Sequence, residues 1–272
     1  MWSWHIWLTD YNPRLAHDAC KTASPGHPNP LVMMKYNLGA TDTGGKFTCI
    51  TRAYRQGFHY QWGRKDPFPG GAGEKADCRA GQQYYYNVKG GIGDFNYSKA
   101  GGSLVLGYQH PMNFYISTAF PYDWQGKTVR QDLWGNPGMK WKGNVNAESG
   151  MKTCFDPCPP GWKVPPRGTW SKASVTGTEK GCFFYGNTSG SGEAAFYPAT
   201  GYRYYFQGAL MDVGTHGYYW CSSPSSESAT NAGFMSFYGG QLNALYSGSR
   251  AYGLAVRCAR NESRNSYIRK NP

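Results

Sequence analysis

Cys154-Phe155-Asp156-Pro157-Cys158-Pro159-Pro160-Gly161-Trp162 opens a segment that closes with Gly253-Leu254-Ala255-Val256-Arg257-Cys258. Between these ends runs an aromatic stretch rich in glycine and serine, with almost no acid/base chemistry. Cysteines at both ends of a run of this composition suggest a disulfide-closed binding domain rather than an active site.

Outside that segment the composition agrees. The chain has 272 residues, enough for one good core or two small ones. Aromatic residues make up 17% and charged residues only 16%, with 37 glycines and 17 prolines. The residues that long helices favour (Leu, Glu, Lys) are scarce, so a compact, loop-rich fold packed on Tyr, Trp and Phe is expected. Disordered chains lack such aromatics.

The formal charge is +12, but Arg and Lys are spread singly from Arg14 to Lys270. Only the end, with Arg257, Arg260, Arg264, Arg269 and Lys270, is dense. No basic helical stripe or nucleic-acid module is recognisable, so no nucleic-acid partner is expected. Attraction to anionic glycans or cell surfaces fits the same charge. No apolar run is long enough to span a membrane, so no membrane insertion is expected. The opening Met1-Trp2-Ser3-Trp4-His5-Ile6-Trp7 reads as mature structure, so an exported protein of this kind is expected to have carried a leader upstream of this chain.

Eight cysteines, at 20, 49, 78, 154, 158, 182, 221 and 258, point to an oxidising compartment, with too many pairings open for sequence to choose. Zinc would need paired Cys-x-x-Cys or Cys/His clusters, and the single close pair, Cys154 and Cys158, has three residues between its members. Neither metal nor cofactor is called for.

Along the chain, residues 1–11 alternate as a strand, 32–38 form a second, and 46–62 suit a strand or short helix. Residues 66–102 are mostly turn formers around Tyr84-Tyr85-Tyr86, and 111–141 mix turns with aromatics. Pro165-Pro166-Arg167-Gly168-Thr169-Trp170 predicts a short helix capped by Thr169. Beyond Cys182, strands are expected at 195–198, 201–206, 217–221, 233–237, 241–245 and 253–258, separated by turn clusters. The organisation expected is one domain over 1–260, with halves at 1–150 and 151–260, and a loose tail at 261–272.

Several ordered motifs resemble one family. They are Asn37-Leu38-Gly39-Ala40, Tyr60-Gln61-Trp62-Gly63-Arg64-Lys65-Asp66-Pro67-Phe68, Asp156-Pro157-Cys158-Pro159-Pro160-Gly161-Trp162-Lys163-Val164-Pro165, Gly217-Tyr218-Tyr219-Trp220 and Val256-Arg257-Cys258. Together they resemble the Fibrobacter succinogenes major paralogous domain. The opening Trp2-Ser3-Trp4-His5-Ile6-Trp7-Leu8-Thr9-Asp10-Tyr11 looks like the version fused to fimbrillin-type surface proteins of gut Bacteroidales, which are similar to pilus-tip adhesins. The resemblance implies an α+β, C-type-lectin-like fold related to formylglycine-generating enzymes, loop-rich, with short antiparallel strands and few short helices. It also implies a Cys158–Cys258 bridge, worth roughly 4–5 kcal/mol for a loop of about a hundred residues. Trp162, Tyr219 and Trp220 are expected in the core, and Arg64 with Asp66 as a buried turn lock. The chain departs from the family at Cys221, where a serine is usual, and at Cys20, Cys49, Cys78 and Cys182, which lie outside the motifs.

Calcium-type lectin signatures (Glu-Pro-Asn or Gln-Pro-Asp, then Trp-Asn-Asp) are missing, as is any EF-hand spacing. Gly190-Ser191-Gly192-Glu193-Ala194-Ala195 half-matches a dinucleotide fingerprint without a βαβ context. The six histidines lack ligand spacing. Cys221 and Cys258 could be imagined as the reactive pair of a formylglycine-type oxidase, but no adjacent base is identifiable, and no enzymatic activity is expected.

In the stretch 219–252, Trp220, Ser222, Phe237, Leu242, Arg250 and Gly253 just beyond it read as frame. Tyr219, Cys221, Ser223, Ser225, Phe234, Met235, Tyr238, Gln241, Asn243, Leu245, Tyr246, Ser249 and Tyr252 read as a variable binding face. Tyr, Ser, Gly and Asn are the palette of antibody loops, with rigid amphipathic rings beside adaptable donors. The stretch also resembles the variable region of proteins diversified by retroelements. The function expected is an exported, cell-surface adhesion domain for a glycan or protein ligand, as a pilus tip. A structural pilus subunit touching other subunits and a phage tail-fibre receptor-binding protein are the alternatives.

Overall fold

β-Branched and aromatic residues bounded by glycine turns favour many short strands over helices, and that is the architecture found. A computed structural model of the chain describes residues 12, 22–23, 30–40, 56–68, 70, 85–86, 92–93, 96–98, 101–120, 122–126, 130–135, 152–178, 180–225, 228 and 230–261. The strand expected at 1–11 and the tail beyond 261 lie outside them.

In the first half, β1 (Thr22–Ala23) pairs with β2 (Pro30–Leu31), and β3 (His59–Gln61) stands apart to join a later sheet. β4 (Tyr85–Tyr86) pairs with β5 (Ile92–Gly93). β6 (Asn96–Ser98) and β7 (Asn113–Tyr115) run parallel, joined through α1 (Leu104–Gln109), whose Ser103 cap accepts from the Leu106 N–H. The second half holds β8 (Trp162–Lys163), β9 (Ser174–Thr178), β10 (Gly181–Tyr185), β11 (Ala194–Pro198), β12 (Tyr202–Arg203) and β13 (Leu210–Met211). It continues with β14 (His216–Pro224), β15 (Asn231–Tyr238), β16 (Gln241–Ser249), β17 (Gly253–Ala255) and β18 (Ala259–Arg260).

The main sheet has the order β13-β12-β17-β14-β15-β16, with β3 also on β17, and β9–β10–β11 form a separate meander. Its centre is buried on both faces. Trp220, Phe234 and Leu254 enter one cluster with Trp62, Trp124, Trp134 and Trp162, while Tyr219, Met235, Phe237 and Ala255 enter another with Trp170, Phe184 and Tyr197. A strand covered on both sides shows no alternation of apolar and polar residues, which explains the unbroken Tyr218-Tyr219-Trp220-Cys221.

Buried tryptophan N–H groups bind these layers together, as buried polar groups require. Trp62 Nε1 donates to the Cys221 carbonyl at 2.9 Å, and Trp220 Nε1 donates to the Tyr60 carbonyl at 2.7 Å. Gly63 needs no side chain: its φ is +88° and a Cβ would sit 2.4 Å from Leu133 Cδ1. At Gly217 a Cβ would lie 2.2 Å from the Phe237 ring, so the strands approach there only because the position is glycine.

The disulfide joins Cys158 to Cys258, with the Cα atoms 6.0 Å apart. Asp156 organises the loop before it. Its carboxylate accepts from Lys152 Nζ at 2.7 Å, the Cys158 N–H at 2.8 Å and the Val164 N–H at 2.9 Å. Two distant motifs meet where Arg257 Nε donates to Asn37 Oδ1 at 3.0 Å and Asn37 Nδ2 donates to the Tyr219 hydroxyl at 3.1 Å. Arg64 is buried, donates to Asp66 Oδ2 at 3.2 Å and lies against the rings of Phe68, Tyr115 and Trp124.

Several local expectations are corrected. Residues 167–172 form turns, not a helix, and Thr169 Oγ1 donates back to the Pro166 carbonyl at 2.6 Å instead of capping. The strand expected at 201–206 stops after Arg203, because Tyr204 turns the chain and its carbonyl accepts from the Gly208 N–H. The strand expected at 32–38 reduces to single bridges at Met33 and Met34. Helix α1 and strands β9 and β10 were not anticipated, since short elements made by tertiary pairing leave little periodic signal.

Candidate functional site

Tyr218 of β14, Phe234 and Ser236 of β15, the end of β16 from Tyr246 to Ser249, and Tyr252 and Leu254 at β17 border a cleft of about 550 Å³. Its walls carry six tyrosines (Tyr122, Tyr202, Tyr205, Tyr218, Tyr246 and Tyr252) and Phe234. Asn231, Ser236, Ser247, Gly248, Ser249 and Leu254 complete the lining, so no Asp, Glu, Lys, Arg or His lines the cleft among the described residues.

The rings pack on one another edge to face or tilted, which fixes their directions. Tyr252 packs against Tyr205 at 4.9 Å and Tyr202 at 5.4 Å between centroids. Tyr202 meets Tyr218 at 5.1 Å, Tyr205 meets Tyr122 at 5.6 Å, and Phe234 meets Tyr246 at 5.1 Å. Burial raises the phenol pKa of Tyr202, Tyr205, Tyr218 and Tyr252, and Asp212 raises Tyr218 further. Their hydroxyls therefore stay neutral at physiological pH, each a donor and an acceptor. Tyr218 donates to Asp212 Oδ2 at 3.3 Å, whereas the hydroxyls of Tyr202, Tyr246 and Tyr252 have no partner among the described residues.

One wall residue, Tyr122, and Asp212, the hydrogen-bond partner of the wall residue Tyr218, are conformationally unusual. Tyr122 and Asp212 both have φ +57°, the left-handed region that non-glycine residues seldom enter. Ser249 Oγ, which also accepts from the Ala251 N–H, donates to the Tyr122 carbonyl and holds the first of these in place.

The thirteen residues read as a binding face separate into three groups. Phe234, Tyr246, Ser249 and Tyr252 line the cleft. Tyr238, Gln241, Asn243 and Leu245 are exposed on the β15–β16 hairpin outside it. Tyr219, Cys221, Ser223, Ser225 and Met235 are buried and present no surface, because their side chains point to the opposite face of the sheet or into its edge. Cys221 serves as a small apolar core residue, its thiol pushed up to about 12 by burial. Of the residues read as frame, Trp220, Ser222, Phe237, Arg250 and Gly253 are buried and Leu242 is half-buried.

Sequence reasoning missed Tyr122, Tyr202, Tyr205 and Tyr218. The run Tyr202-Arg203-Tyr204-Tyr205-Phe206 carried a signal in its density of tyrosine, but it lies outside the 219–252 stretch and joins it through β12 pairing with β17 and the packing of Tyr202 and Tyr205 on Tyr252. Nothing local marks Tyr122.

Cys258 is bonded to Cys158, so it does not pair with Cys221. Among the described residues no group of three His, Cys, Asp or Glu side chains is placed to hold a metal ion, and no helix is long and apolar enough to cross a membrane. Comparison of the chain with models of known families, with curated proteins and with solved structures finds no match in any of the three.

Proposed function

We propose that the chain is an exported ligand-binding domain of C-type-lectin-like fold that acts in adhesion at a cell surface or pilus tip. The observation that carries this reading is the cleft: about 550 Å³, walled by six tyrosines whose ring directions are fixed by mutual packing. Concave, mostly apolar sites with a few convergent polar groups are where small ligands and ligand segments dock. The residues around it offer stacking surfaces and neutral hydrogen-bonding groups, which suit recognition more than bond making. A long disulfide-closed loop supports an oxidising, extracellular setting. The exposed Tyr238, Gln241, Asn243, Leu245 and Tyr246 are the positions at which side chains can vary without disturbing the core.

The test is binding of the pure chain to an array of glycans and surface proteins, beside a variant with Tyr238, Tyr246 and Tyr252 changed to Ala. The expected result is a hit that the folded variant loses. A hit that the variant keeps moves the site elsewhere. Absence of any hit, with self-association of the chain, favours a structural subunit.

A further inference from the structure

The cleft does not end at its mouth. On the outward face, His216 of β14 lies opposite Tyr238 of β15, and their rings stack at 4.3 Å with 11° between planes. His216 stacks in turn on Tyr218 at 5.9 Å, and Tyr218 meets Phe234 at 6.0 Å. An unbroken path of rings therefore runs from Tyr252 through Tyr202 and Tyr218 to Tyr238. Across β16, Gln241 and Asn243 stand opposite Tyr238 and Ser236, both exposed. Their carboxamide N–H groups have no acceptor among the described residues. From Phe234 to Tyr238 this platform adds roughly 13 Å of strand beyond the cleft.

Resting on the adhesion reading above, we infer that the ligand is an uncharged oligosaccharide that seats one end in the cleft and extends over the His216–Tyr238 stack. Its chemistry fits each part of the surface. The C–H faces of pyranose rings carry slight positive charge and pack on the negative faces of aromatic rings. Sugar hydroxyls donate and accept, as do neutral phenols and carboxamides, so the unpartnered hydroxyls of Tyr202, Tyr246 and Tyr252 would all be satisfied. An apolar ligand would leave them stranded. An anionic one would meet no Lys or Arg in the cleft, because the chain's excess of 28 basic over 16 acidic residues places none in its lining. The platform adds only the imidazole of His216, which lies 3.9 Å from Asp212 Oδ2.

The experiment is titration calorimetry of the full chain with neutral maltohexaose, cellohexaose, xylohexaose and mannohexaose and with their disaccharides. Hexagalacturonate, a heparin hexasaccharide and an immobilised peptide array run beside them. At least one neutral hexasaccharide should bind, several-fold tighter than its disaccharide. Tyr252→Ala should weaken both by about tenfold. Tyr238→Ala, at an exposed position, should weaken only the hexasaccharide, to the level of the disaccharide. If Tyr252→Ala unfolds, Tyr252→Phe keeps the ring, and a smaller loss is expected. Binding confined to the charged sugars or to peptides, and lost in the Tyr252 variant, overturns the neutral-sugar assignment and leaves the adhesion reading standing. Neutral binding unchanged in both variants overturns the site. No binding by any probe sinks both.

Discussion

Arg250 and Asp123, 127 residues apart in sequence, meet in a buried ion pair at 3.4 Å, each next in sequence to a residue that lines the cleft. Asp123 follows the strained Tyr122, and Arg250 follows Ser249, which is bonded to the Tyr122 carbonyl. The arginine also donates to the carbonyls of Arg130 at 3.0 Å and Asn231 at 3.3 Å, and lies over the Trp62 ring. One guanidinium thus ties the main sheet to the segment that supplies a cleft wall. Arg250→Ala is expected to cost about 3–5 kcal/mol, and Arg250→Lys should recover little, because an ammonium cannot reproduce the planar fork or the stacking. Urea denaturation of both variants measures this.

The same pair sets a pH dependence. Burial raises the Asp123 carboxyl from 3.8 to about 6, against the opposing pull of Arg250. A carboxyl that titrates higher in the folded state than in the unfolded state holds its proton better when folded. Its contribution is therefore fully present below the unfolded value and is lost as pH rises through about 6. Relative to wild type, Asp123→Asn should gain about 3 kcal/mol between about pH 4 and pH 7. Urea midpoints of the two proteins, compared across that range, supply the check. A difference that does not change with pH would mean that Asp123 is ionised throughout.

Cysteine chemistry should divide sharply. Cys221 is buried with its thiol pushed up to about 12, and burial raises Cys182 as well. Both should resist iodoacetamide in the native protein, while the exposed Cys154 is labelled. Peptide mass spectrometry reads this directly, and rapid native labelling of Cys221 would revive an oxidase-type reading. Replacing Cys158 and Cys258 by Ser should cost roughly 4–5 kcal/mol, since the bridge closes a separation of 100 residues.

Tyrosines that look alike in sequence should behave differently. Tyr219 is fully buried and donates to the Pro198 carbonyl at 2.7 Å, so Tyr219→Ala is expected to cost about 3–5 kcal/mol. Tyr238 is 56% exposed, and Tyr238→Ala should stay within about 0.5 kcal/mol. Thermal unfolding of the two variants separates core from surface.

Much of the β-rich second half was legible, because strands such as 194–198 and 231–238 are bounded by glycine and turn residues. The bridge of Cys158 to Cys258 came from the motif resemblance, not from spacing. Burial was harder to read. Alternation normally separates inward from outward residues, but β14 is covered on both faces, so Tyr219 and Cys221 could not be told from Tyr218. The cleft itself was half visible. Tyr246 and Tyr252 lie in the stretch singled out, whereas Tyr122 and Tyr202 reach it only by long-range pairing and packing. No local pattern encodes such contacts.

Hydroxyl-radical footprinting of the chain, alone and with whichever array ligand it retains, tests most directly the proposal that the cleft binds ligand. Protection concentrated on Tyr202, Tyr205, Tyr246 and Tyr252 is the expected result. Protection at other exposed aromatics, such as Phe120 or Phe183, with the cleft tyrosines unchanged, would contradict it.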